Sequence, residues 1–265
     1  MKTLMQYRII SGRTVETRRG LFSIGPTYRK PRGTRRAGSS SLKKIKANEK
    51  SCIQNLARKI NCNFGVGDCF FTAKYDDEHY PEEMSYDQAE SDIKRFLRKL
   101  RKEYRKATSE KLNAVWVTAN WSPKRQSASR LHHHLVLPAA ATEIARKIWS
   151  EIGGVGTVMT EDLNNEGDYS KLAAYMVANV QGIGPGKQKW HCCRGMAEPI
   201  ITELEEVTDI ENMQPDYGSI VKDVEETKDE DGRIIGKYMR CVWKEPPKVR
   251  GGQIVLPKRR GRRTE

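Results

Sequence analysis

Arg130-Leu131-His132-His133-His134-Leu135-Val136-Leu137-Pro138 is short, apolar and stopped by proline, so it reads as a β-strand. Side chains alternate across a strand. His132 and His134 therefore leave one face, while His133 leaves the other with Leu135 and Leu137. Two imidazoles on one face are half of a divalent-metal site, with positions open for oxygen ligands, water or a phosphate. The competing reading is three ordinary polar residues on a half-exposed strand.

Outward from this strand, the periodicities alternate. Asp68 to Tyr75 is a strand rich in aromatic and β-branched residues. Ser85 and Gln88 make a capping box before a helix whose apolar face is Ile93, Phe96, Leu97, Leu100 and Tyr104. A strand over Asn113–Asn120, a polar loop and the histidine strand follow. A helix carrying Ile144, Ile148 and Trp149 then stops at Gly153-Gly154, and Val155–Thr160 is a further strand. This order predicts an α+β fold: an antiparallel sheet of split βαβ type, with helices on one face and an open face for a ligand. Asp168–Val180 is a further helix, with Leu172, Met176 and Val180 on one stripe and Lys171, Tyr175 and Asn179 on another.

The flanks are unlike this middle. Residues 1–60 hold 16 Lys and Arg against 2 acidic residues, 201–232 hold 12 acidic against 2 basic, and 244–265 hold 8 basic against 2 acidic. The net charge of +14 points to a polyanionic partner, most simply nucleic acid. We read 1–41 as a flexible basic arm, 42–205 as the main domain opening with an amphipathic helix from Leu42 to Ile60, 206–243 as an acidic accessory segment forming a hairpin around Asp231-Gly232, and 244–265 as a basic tail. Arg32, Arg35 and Arg36 of the arm, with Lys43 and Lys44 of the helix, are the candidate phosphate contacts. The six cysteines form no CxxC pair, and we read them as reduced thiols; Gly182–Lys187 lacks the P-loop spacing and reads as a turn. No apolar run near 18 residues and no signal-peptide pattern occur, so the expectations are a cytoplasmic location and no membrane partner.

Paired histidines, a tyrosine on the helix after the sheet and basic flanks together suggest phosphodiester transesterification. Here the chain resembles the HUH single-strand endonucleases, the rolling-circle replication initiators of small phages and plasmids, and within them the filamentous-phage and microvirus-like replication-associated proteins. Several blocks carry the resemblance: Arg32–Arg36, Asp68–Glu78, Arg130–Leu137, Tyr169–Asn179 and Trp190–Pro199. It implies that His132 and His134 bind Mg2+ or Mn2+, and that Tyr175, following Leu-Ala-Ala, is the nucleophile rather than Tyr169. It also implies a 5′-phosphotyrosine link, a free 3′-hydroxyl, and as partners single-stranded origin DNA, a host helicase and a polymerase in a bacterial host cell. Members often carry a glutamate before the histidines; Val117–Asn120 has no carboxylate, which leaves Asn120 or waters to complete the shell. A lysine usually follows the tyrosine by three residues; Ala178 stands there, and Lys171, one turn earlier, is the substitute. Three readings compete: a relaxase or transposase of the same chemistry, a noncatalytic nucleic-acid-binding repressor, and an RNA-processing enzyme on a similar sheet.

Overall fold

The computed structural model describes residues 2–23, 42–80, 84–184, 187–216, 218–250 and 253–255. In chain order its elements are β1 (Lys2–Ser11), β2 (Thr14–Ser23), α1 (Leu42–Asn63), β3 (Cys69–Ala73), α2 (Tyr86–Thr108), β4 (Val115–Ser122), β5 (Ser127–Leu137), α3 (Thr142–Gly153), β6 (Val158–Asp162) and α4 (Ser170–Ala178). After these come β7 (His191–Cys192), β8 (Ile200–Ile201), β9 (Glu205–Glu206), β10 (Ser219–Lys228), β11 (Ile234–Trp243), β12 (Lys248–Arg250) and β13 (Gln253–Val255). Two compact units result: residues 49–198, and residues 1–48 with 199–265.

The first unit is built on an antiparallel sheet in the order β6-β3-β5-β4-β7, which is the expected split βαβ arrangement with β7 added at the edge. Its start and stop signals act as the sequence suggests. Ser85 Oγ accepts the Gln88 N–H at 3.1 Å to open α2, and Ser109, at φ 61°, closes it by donating to the Arg105 carbonyl. Gly154, at φ 95°, ends α3 where a Cβ would run into the Asp76 carboxylate. The apolar faces of α2 and α3 cover one side of the sheet: Phe96 stacks on Phe71 at 6.2 Å, and Trp149 meets Phe96 at 5.4 Å and His133 at 5.3 Å.

The other side is open only in part. By register Val115, Val117 and Val136 share the face of His134, yet all three are fully buried. α1 and α4 cap that half: the Asn61 side chain accepts from the Tyr169 N–H at 2.9 Å, and the N–H groups of Asn120 and Trp121 both donate to the Asn179 carbonyl. The end carrying His132 stays uncovered, so the ligand face is a cleft rather than a bare sheet.

The second unit corrects the expected arm. Lys2–Ser11 and Thr14–Ser23 are paired strands turning at Gly12, and β2 pairs β11 from Thr14↔Val242 to Gly20↔Gly236. The sheet order is β10-β11-β2-β1-β8, with β9 also on β1. The hairpin around Asp231-Gly232 forms as expected, but it belongs to this sheet rather than standing alone. The amino-terminal stretch shows little periodicity because its few core residues, Met5, Ile9, Ile10 and Val15, are scattered among charges that find partners far along the chain, such as Arg8 with Asp216 at 3.3 Å. Arg32, Arg35 and Arg36 lie outside the described residues. Lys43 and Lys44 lie in α1, which runs on to Asn63, and Lys44 is exposed. No helix among the described residues is long and apolar enough to cross a membrane.

Candidate active site

β5 splits its histidines as alternation requires. His133 is 0% exposed and hydrogen-bonds Tyr75 Oη through Nε2 at 2.9 Å and Thr118 Oγ1 through Nδ1 at 3.2 Å. Burial drives its pKa down to about 3, so the ring is neutral and structural. His132 and His134 emerge together on the other face with their Nε2 atoms 3.1 Å apart.

The hydrogen bonds of that pair prepare it for a cation. His132 Nδ1 sits 2.8 Å from the Arg130 carbonyl, which can only accept, so Nδ1 carries the proton and Nε2 the lone pair. His134 Nδ1 lies 3.0 Å from Thr72 Oγ1, a hydroxyl able either to donate or to accept. When Thr72 accepts, His134 Nε2 is also a lone pair, and two lone pairs face each other across 3.1 Å. That spacing lets both reach one divalent ion at metal–nitrogen bonds of about 2.1 Å, so the residues fit the implied metal. Both pKa values are lowered, chiefly by burial, with Lys74 adding its repulsion. The rings are therefore uncharged in neutral solution, as metal ligands must be.

α4 brings Tyr175 to the same place. Its ring lies 5.3 Å from that of His134 and 6.0 Å from that of Phe70, and the residue is 47% exposed. Met176, Val177 and Val180 bury the helix's other side, and the Asn179 amide donates to the Tyr175 carbonyl at 2.7 Å. Tyr169 is buried, its hydroxyl donating to the Asn164 carbonyl at 3.0 Å, and it does not border the cleft.

The cleft has a volume of about 980 Å3 and is lined by His132, His134, Tyr175, Thr72 and three cations, Lys74, Arg125 and Arg130. None of these cations is singled out as a site residue by the sequence, although Phe70, Thr72 and Lys74 alternate onto one face and Thr72 pairs with His134 across β3 and β5. The Lys74 backbone is held from both sides: its N–H donates to the Thr157 carbonyl, and Trp149 Nε1 donates to its carbonyl at 2.6 Å. Arg130 lies 4.2 Å over the Tyr80 ring and pairs with Asp77 at 2.6 Å. Glu161 of β6, whose register partner on β3 is Phe70, also lines the cleft and is the one carboxylate among its described lining residues.

Two expectations are corrected. Asn120 is not placed as a metal ligand: its Oδ1 accepts the Gln181 N–H at 3.0 Å and its Nδ2 donates to the Gln181 carbonyl at 2.7 Å, which pins the chain leaving α4. Lys171 is exposed on α4 and does not line the cleft, so the cation beside the histidines is Lys74. Among the described residues there is no group of three or more His, Cys, Asp and Glu side chains arranged to hold a metal, which leaves the histidine pair with an open shell.

No curated protein and no solved structure matches the chain. Residues 68–180, which include every residue lining the cleft, match the family model of the Replication-associated protein ORF2, and this match supports a replication initiator.

Proposed function

We propose that this protein starts rolling-circle DNA replication by cutting single-stranded origin DNA and holding the new 5′ end on Tyr175. The observation that carries this reading is the convergence of the Tyr175 ring on the His132–His134 pair in one cation-lined cleft. An isolated tyrosine or an isolated histidine pair would say little; a nucleophile beside a two-nitrogen metal seat is suited to phosphoryl transfer.

His132 and His134 would hold Mn2+ or Mg2+, and nitrogen donors favour Mn2+ of the two. The ion would supply a positive charge against the phosphate oxygens as their charge grows. Lys74, Arg125 and Arg130 bind and orient the backbone on either side of the scissile phosphate. Tyr175 Oη attacks phosphorus and loses its proton to solvent. The P–O3′ bond breaks, and the leaving 3′ oxygen takes up a proton to become the primer hydroxyl. One phosphodiester is exchanged for another, so no ATP is needed, and the reverse reaction rejoins the strand.

The test is incubation with labelled single-stranded DNA from the origin region of its own element, with Mn2+, with Mg2+ or with EDTA, resolved on a denaturing gel. We expect metal-dependent cleavage and a protein-linked band. Tyr175→Phe should abolish both, lowering the rate by more than about a thousandfold. Retention of DNA with no cleavage in either metal would instead establish a noncatalytic binding protein.

A further inference from the structure

The cations of α2 fall into two classes. Lys94, Arg95, Lys99 and Lys106 each pair with a carboxylate: Glu90, Asp92, Glu151 and Glu103 respectively. Arg98, Arg101, Lys102 and Arg105 have no carboxylate partner among the described residues. These four recur at helical spacing, so they form one exposed stripe along about 10 Å of helix.

β7 adds to the stripe. It pairs with β4, Cys193 donates its N–H to the Ala114 carbonyl, and Arg101 reaches Cys193 Sγ at 3.7 Å, which brings the Arg194 turn beside the end of α2. Gly195, at φ 73°, makes that turn, and a Cβ there would come within 2.6 Å of Lys111 Nζ. Arg194 and Lys111 thus line the same groove, with the lysine end beside a position where glycine leaves room. The result is a groove of about 1280 Å3 whose described lining contains Glu110 as its one carboxylate. Gathering like charges without counter-charges costs free energy that a bound polyanion would recover.

The geometry points to this groove as a docking site for the phosphate backbone of duplex DNA, separate from the catalytic cleft. It shares no lining residue with that cleft. α2 packs through Phe96 on Phe71, on the sheet face opposite His132 and His134. Single-strand sites interleave cations with aromatic rings on which bases stack. No aromatic ring is among the described residues lining this groove, so it grips phosphates without reading bases, as duplex binding requires. The inference goes beyond strand cutting: a site for duplex apart from the strand being cut, independent of whether Tyr175 is the nucleophile.

The test compares the intact protein, the variant Arg98→Ala/Lys102→Ala/Arg105→Ala and Tyr175→Phe for binding of a short blunt duplex of arbitrary sequence over a salt series, with binding and cleavage of a single-stranded oligonucleotide measured in parallel. The triple variant should bind duplex at least about tenfold more weakly and lose about three from the slope of log K against log salt. Its handling of the single strand should be unchanged, which also certifies its fold. Tyr175→Phe should bind duplex like the parent. Unchanged duplex affinity in the triple variant, no duplex binding by the parent, or an equal loss for both DNA forms would each overturn the proposal. Failure of strand cutting alone would leave the duplex result standing.

Discussion

Adjacent histidines of one strand have opposite fates. His133 is sealed between Tyr75, Thr118 and Trp149, while His132 and His134 open on a cleft beside a tyrosine. The residue type is the same and the backbone continuous; only parity along the strand differs. A histidine's role is therefore set by the face it leaves and by what caps its second nitrogen: two hydroxyl-bearing side chains for His133, but a carbonyl or an adaptable hydroxyl for the outward pair.

The sharpest way to break this contrast is to delete one ring from each side. His133→Ala should cost about 3 kcal/mol, because it leaves a cavity and strands two hydroxyls, whereas His132→Ala should change stability by less than about 1 kcal/mol. Denaturant titration measures the first. For the second, the expected loss is in Mn2+ binding by calorimetry. Equal stability losses would mean that both rings serve the core.

Thr72→Val asks a finer question. It preserves shape but removes the hydroxyl from His134 Nδ1, and Mn2+ affinity should fall about 10- to 100-fold. An unchanged affinity would show that the His134 tautomer needs no partner.

A last test concerns acid. His133 stays neutral in the native state down to about 3, while an unfolded chain protonates it near its ordinary 6.5. The unfolded state therefore binds more protons between these values. Stability should be full above 6.5 and fall as pH drops toward 3, with a slope approaching about 1.4 kcal/mol per pH unit for this group. In His133→Ala that part of the acid dependence should vanish, which an acid titration followed by circular dichroism would read.

Much of the unit that carries the cleft is legible because its signals are local. Parity assigns the three histidines, Ser85 and Gly154 bound helices, and the alternation of strand and helix implies the sheet in which β3 lies between β5 and β6. Lys74 and Glu161 are harder. Nothing in the sequence gives either a chemical role, and each becomes interesting only through its strand pairing with Thr72–His134 or Phe70. Asn120 and Lys171 stand in for family residues only by nearness in sequence, and hydrogen-bonding capacity sends the Asn120 amide to the Gln181 backbone instead. The β1–β2 pair is hidden for the opposite reason: its partner β11 lies at the far end of the chain, beyond the reach of any periodicity window.

That distant pairing sets an order of events at the ribosome. Residues 49–198 contain a complete sheet and can close as soon as they emerge, since their pairings are all internal. β2 meets only β1 until β11 has been made, and closing so long a loop is slow. In the nascent chain, the two-stranded ribbon Lys2–Ser23 therefore waits with both edges unpaired while residues 49–198 are synthesised, since β8 and β9, which cover β1, and β11, which covers β2, all come later. Truncations that remove β11 should thus be judged by aggregation of the amino-terminal ribbon as much as by loss of activity.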